Sequence, residues 1–260
     1  APPADLRDGT YVSVFEPTVA AVYQLAVTRG GVHILGSPYA LVVIPGPTSA
    51  AHTLVTCDWG DDNGASSNCA LAPAGAVVGA AATFVVVAKD AYNNTNAETT
   101  GVDGDAFYYG VTGPGGVAKW APANATADPV RLPSTALPGH YHGSFDPSVA
   151  GEYRVRVTLG STLARDLVAN ARPAALSPAD FAPVSDGIPT TVAGVWYPVT
   201  YRAKDALGND RAVGGLNVSI TTRRVGIAGT ETALATTDNG DGTYSASYRI
   251  DEVGSWSVEA

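Results

Sequence analysis

Apolar and polar residues alternate along much of the chain. "YQLAV" at 23–27, "YRVRV" at 153–157 and "LNVSI" at 216–220 each place successive side chains on opposite faces of an extended strand. Three longer stretches carry this pattern in a common frame: "DGTYVSVFEPTVAAVYQLAV" (8–27), "PGHYHGSFDPSVAGEYRVRV" (138–157) and "DGTYSASYRIDEVGSWSVEA" (241–260). In each, a glycine two residues before a tyrosine opens a strand, an aromatic follows four positions on, and another lies twelve positions after the tyrosine. The matched sets are Tyr11, Phe15 and Tyr23; Tyr141, Phe145 and Tyr153; Tyr244, Tyr248 and Trp256. A step of four keeps the first two on one face of a strand, and the breaks at Glu16-Pro17, Asp146-Pro147 and Asp251-Glu252 turn the chain back. The pattern predicts a repeated β-hairpin.

A second repeated element precedes the hairpin. "FVVVAKDAYNN" (84–94) and "VTYRAKDALGND" (199–210) share Ala-Lys-Asp-Ala at an offset of 115 residues, each a strand running into an Asn-rich turn. Gly-led strands follow in "DGDAFYYGVTGPGG" (103–116) and "VGGLNVSITTRRVG" (213–226). One unit therefore carries an AKDA strand, a Gly-led strand and the Gly-x-Tyr hairpin. Residues 1–46 are expected to be the C-terminal part of one unit, 47–172 a whole unit, and 173–260 a unit lacking its last strand. Proline in the junctions "VIPGPTSA" (43–50) and "NARPAALSPADFAP" (170–183) stiffens them.

Composition agrees with an all-β chain. Of 260 residues, 45% are hydrophobic and only 15% charged, with 29 glycines and 18 prolines, too turn-rich for a helical protein and too apolar for disorder. The net charge of -9 and the scattered basic residues exclude nucleic acid as a partner, because phosphate binding needs clustered cations; Arg223-Arg224 reads as a solvated strand end. No run of about 18 apolar residues is present, so no membrane insertion is expected within this segment. A chain without methionine reads as a piece of a processed or larger protein.

These residues resemble the filamin-type (ABP280) immunoglobulin-like repeat. The matching positions are Phe84, Val86, Ala88 and Asp90; Gly104, Asp105, Phe107, Tyr109, Val111, Gly113 and Pro114; Asp8 to Tyr11, Phe15, Pro17 and Tyr23; and Ile34, Gly36, Ser37, Pro38 and Tyr39. The resemblance implies tandem seven-stranded β-sandwiches that bind other proteins, or copies of themselves, without catalysis. It departs in the middle unit, which ends "LGSTLARDLVANARP" and has Pro138-Gly139 where the other two repeats have Asp-Gly. The recurrent Asp-Gly-Thr-Tyr resembles the tyrosine corner that fixes an immunoglobulin-like sandwich.

Candidate chemistry is sparse. Cys57 and Cys69 flank a polar loop and form a disulfide if the compartment is oxidising; the alternative is two free thiols in a cytosolic protein. Asn93, Asn124 and Asn217 open N-glycosylation sequons, the last pointing outward by alternation. His140 and His142 share a strand face, but Tyr141 between them is the core-facing residue, and no third metal ligand is near. Asp58, Asp61 and Asp62 lack calcium-loop spacing, as does "DNGDGTY" (238–244). No metal or cofactor is expected, and no nucleophile elbow or phosphate loop occurs. The expected function is a structural or adhesive segment of a secreted or cell-surface glycoprotein: a stalk, an extracellular filament such as one on a cilium, or an adhesion surface. The alternative is a cytosolic filamin-like scaffold that crosslinks actin or binds peptides by β-strand addition.

Overall fold

The computed structural model describes residues 3–58, 75–97, 105–114, 130–133, 135–184 and 190–260. Apart from Pro114, in 3-10 conformation, the regular elements among them are strands. The first segment holds β1 (Ala4–Asp5), β2 (Tyr11–Val12), β3 (Ala21–Leu25), β4 (Thr28–Arg29), β5 (Val32–His33) and β6 (Tyr39–Val43). They form three antiparallel pairs, β1 with β2, β3 with β6 and β4 with β5.

The middle segment contains β7 (Leu54–Cys57), β8 (Ala76–Val77), β9 (Ala82–Val87), β10 (Phe107–Thr112), β11 (Val130–Arg131), β12 (His140–Phe145), β13 (Gly151–Leu159) and β14 (Thr162–Arg172). One sheet runs β12-β9-β7 and the other β11-β10-β13-β14-β8. Alternation turns Phe84, Val86, Tyr141 and Phe145 of the first sheet inward against Phe107, Tyr109, Val111, Tyr153 and Val155 of the second, all buried in one core. Three ring pairs join the sheets: Phe84 with Tyr109 at 5.2 Å, Phe107 with Tyr141 at 4.9 Å, and Phe145 with Tyr153 at 5.6 Å between centroids. Burying each such ring contributes about 2 to 3 kcal/mol. Gly143 stands opposite Phe84 in the β9–β12 register, and a Cβ there would overlap the Phe84 ring.

The last segment has β15 (Leu176–Pro183), β16 (Trp196–Asp205), β17 (Thr221–Arg224), β18 (Thr232–Ala233), β19 (Thr237–Asp238), β20 (Thr243–Arg249) and β21 (Trp256–Glu259). Its sheets are β15-β16-β20-β19 and β18-β17-β21, enclosing a separate core of Val199, Tyr201, Ala203, Ile220, Tyr244, Ala246, Tyr248 and Val258. The Tyr201 hydroxyl donates to Val258 O at 2.6 Å and ties one sheet to the other. The chain is thus all-β, a tandem array of immunoglobulin-like sandwiches.

Three local expectations come out differently. The repeated element is not a hairpin: β12 pairs with β9 while β13 pairs with β10 and β14, and β20 pairs with β16 while β21 pairs with β17, so its two strands lie in opposite sheets and the break between them carries the chain across the sandwich. The Gly-led strand at 213–226 forms a ladder only over β17. Upstream of it, Gly215 N–H donates to Asp238, Leu216 N–H to the Tyr244 hydroxyl and Ile220 N–H to Thr236 Oγ1. Side chains of Asp238 and Tyr244 in the other sheet, and of Thr236 just before β19, therefore occupy the donors that a strand neighbour would have used. The corner bond also moves. Tyr23, Tyr153 and Trp256, the second aromatics of the repeat, each donate to the carbonyl four residues back: Val19 at 2.8 Å, Val149 at 2.9 Å and Glu252 at 3.3 Å. The tyrosine after Asp-Gly has another role, since Tyr244 accepts the Leu216 N–H at 3.0 Å.

Candidate functional site at the joints

Asp90 and Asp205, the aspartates of the two AKDA strands, are almost fully buried. A buried carboxylate requires donors, and each aspartate finds them in its own turn and in the chain entering from the preceding segment. Asp90 accepts from Tyr92 N–H at 2.9 Å, from Asn94 N–H at 2.8 Å and from Asn94 Nδ2 at 2.9 Å. Its last donor is Gly46 N–H, 2.9 Å away, in the linker after β6. Asp205 accepts from Leu207 N–H, Asn209 N–H and Asn209 Nδ2 in the same way, and from Ala174 N–H at 2.9 Å in the linker after β14.

The asparagine four residues on completes the joint. Asn94 Nδ2 donates to Thr18 O and its Oδ1 accepts the Ala20 N–H, both at 2.9 Å. Asn209 Nδ2 donates to Ser148 O at 3.4 Å and its Oδ1 accepts the Ala150 N–H at 2.9 Å. Thr18 and Ala20, like Ser148 and Ala150, lie in the loop between the two strands of the repeated element, β2 and β3 in one copy and β12 and β13 in the other. One Asp-x-x-x-Asn turn thus grips both the linker and the loop between the repeated strands of the segment before it, and the arrangement occurs twice.

Hydrogen bonding sets the charge of these groups. Burial by itself would raise the Asp90 pKa, but the Asn94 amide and the Gly46, Asn94 and Tyr92 N–H groups outweigh it and hold it at about 2. Asp205 is likewise lowered, burial being overcome by Asn209, Ala174 and Leu207. Both are therefore ionised acceptors at neutral pH. The turn needs a left-handed residue just before the asparagine: Gly208 at φ 82° in one copy and Asn93 at φ 72° in the other.

The residues singled out from the sequence fall as follows. Tyr141, Tyr153 and Tyr244 are buried, whereas Trp256 and Tyr23 are half-buried and Tyr11 is 66% exposed. Asn93 and Asn217 are exposed; Asn124 lies outside the described residues. Cys57 ends β7, and no cysteine among the described residues is free. Cys69 lies outside them, as do Asp61 and Asp62, while Asp58 accepts from the Thr83 N–H and hydroxyl. His142 is exposed and His140 contacts Pro138 O. In "DNGDGTY" the carboxylates serve the turn: Asp238 accepts from Gly215 and Gly240, and Asp241 from Thr243. A cleft of about 840 Å³ in the last sandwich has Asp251 and Glu252 on its wall, but these pair with Arg249 and Arg224. Asn94 and Asn209 were not anticipated from the sequence, although the shared Asp-Ala-x-x-Asn at the 115-residue offset was the signal for them.

No family model matches the sequence, so the filamin-type resemblance rests on its motifs alone. Among solved structures the chain is similar to FdeC, an Escherichia coli adhesin, at 19% identity and a TM-score of 0.45, over 85% of this chain and 63% of that one. InvD of Yersinia pseudotuberculosis gives 14% identity and a TM-score of 0.41 over 90% of this chain and 64% of that one. Invasin, a bacterial integrin-binding protein, gives 16% and 0.33 over 72% and 34%. The chain spans less than two thirds of the length of each.

Proposed function

We propose that this chain is a non-catalytic segment of a secreted or cell-surface protein, a stiff stalk of immunoglobulin-like units divided at 46/47 and 172/173. The observation that carries this reading is the joint built twice by the same aspartate and asparagine. A flexible linker needs no such device, whereas a spacer that must hold its reach does, because each grip removes the freedom of the linker and of the inter-strand loop at once. The partners are other protein domains or further copies of the array. Such a stalk serves an adhesion surface or an extracellular fibre, for example one on a cilium. Among the described residues no helix is long and apolar enough to cross a membrane.

An oxidising compartment goes with this proposal, and with it a Cys57–Cys69 disulfide and glycans on Asn93, Asn124 and Asn217. The filamin-type scaffold in the cytosol is the rival. Mass spectrometry of the native protein separates them: free thiols together with unmodified asparagines would remove the secreted reading. Stiffness is tested by small-angle X-ray scattering of the chain and of an Asn94→Ala/Asn209→Ala double variant. The maximum dimension should shorten and the scattering turn to that of a flexible string in the variant. An unchanged profile would sink the stalk.

A further inference from the structure

A cleft of about 600 Å³ opens where β14 gives way to the last sandwich, with Val77, Arg172, Pro173, Ala174, Arg211 and Val213 on its walls. Two of these residues are cationic. Among the described residues neither the Arg172 nor the Arg211 guanidinium has a hydrogen-bond or ion-pair partner. The acids nearby are committed elsewhere: Asp205 to its ring of N–H donors, Asp210 to Lys204 and Arg202. Proline, alanine and valine supply the rest of the wall and offer no counter-charge.

The first joint lacks this pair. Arg211 N–H donates to Ala203 O as Asn96 N–H does to Ala88 O, so Asn96 holds the place of Arg211 there, and its amide is used on Thr48 Oγ1 at 2.8 Å. Arg172 stands two residues before Ala174, where the first joint has Ile44 before Gly46. The cations are therefore not a by-product of the repeated grip. The planar forks of two guanidinium groups that line one cleft without a protein partner match the oxygens of a carboxylate or a phosphate.

We infer that this cleft binds an oxyanion, held between Arg172 of the middle sandwich and Arg211 of the last one. The cleft is large enough for a small molecule carrying that group. Because the ligand touches both sandwiches, its binding stabilises their docked arrangement by mass action. The inference stands whether or not the array serves as a stalk.

The test is a titration of the ¹⁵N-arginine-labelled chain with citrate and, separately, with inorganic phosphate at constant ionic strength. The Nε resonances of Arg172 and Arg211 should move together and saturate with at least one of the two anions. Saturation by citrate alone identifies a carboxylate ligand, by phosphate alone a phosphate group, and by both their shared chemistry. Arg172→Gln and Arg211→Gln should each weaken binding by about tenfold or more, whereas Arg154→Gln, on the exposed face of β13 beside Glu152, should not. Thermal unfolding without ligand shows that the variants are folded. Shifts that grow linearly with both anions, or binding that survives both substitutions, would overturn the inference.

Discussion

Asp90 and Asp205 show how one residue sets the energetics of a joint. Replacing Asp205 by alanine leaves the Leu207, Asn209 and Ala174 N–H groups without their acceptor. The loss should be about 3 kcal/mol, read by urea unfolding of the last sandwich through its Trp fluorescence. Acid probes the same bonds at Asp90. Its carboxyl lies at about 2 in the folded chain against an ordinary value of 3.8, so the unfolded chain binds the proton first. The contribution is complete above about pH 4 and is lost as pH falls through about 2. Melting temperatures followed across that window should drop in the parent chain, and drop less in Asp90→Asn, which starts lower. A third residue-scale expectation concerns Asn93, whose positive φ costs a non-glycine side chain some energy. Asn93→Gly should raise stability by about 0.5 kcal/mol, since Gly208 already serves that position in the other joint; a destabilised variant would mean that the Asn93 side chain has a role of its own.

At the level of elements, the strands were legible because period-two alternation is a local consequence of the pleat. "FVVVAK" and "YRVRV" turn their odd or even positions inward whatever lies across the core. The aromatic spacing was legible for the same reason, whereas the need for a small residue at Gly143 follows only from its register with Phe84 across the β9–β12 pair. The stretch at 213–220 was not, because its donors are claimed by Asp238, Tyr244 and Thr236 from some 16 to 28 residues away. Nor was the corner, since alternation says which ring is buried and nothing about which hydroxyl meets a carbonyl. Tyr153 both donates to Val149 O and accepts its N–H, and the next residue in that loop, Ala150, donates its N–H to Asn209. Tyr153→Phe should therefore cost about 1 kcal/mol in the middle sandwich. In a double-mutant cycle with Asn209→Ala it should show a coupling of about 0.5 kcal/mol or more, measured by chemical unfolding; strict additivity would detach the corner from the joint.

For the whole molecule, what matters is that the two joints share their chemistry but no residue. Asn94 reaches back to Thr18 and Ala20, and Asn209 to Ser148 and Ala150, with the middle sandwich and its own buried core between them. Stiffness in such an array is a series of nearest-neighbour terms, each set by its own grip. Breaking one should free one hinge and leave the other as it was. Amide exchange reads this directly, because Ala20 N–H and Ala150 N–H each end on one asparagine side chain. Asn94→Ala should accelerate exchange at Ala20 and spare Ala150; Asn209→Ala should do the reverse. Exchange that rises at both sites in either variant would mean that the middle sandwich transmits strain from end to end, and the array would then be a single cooperative body rather than a chain of independent stiff joints.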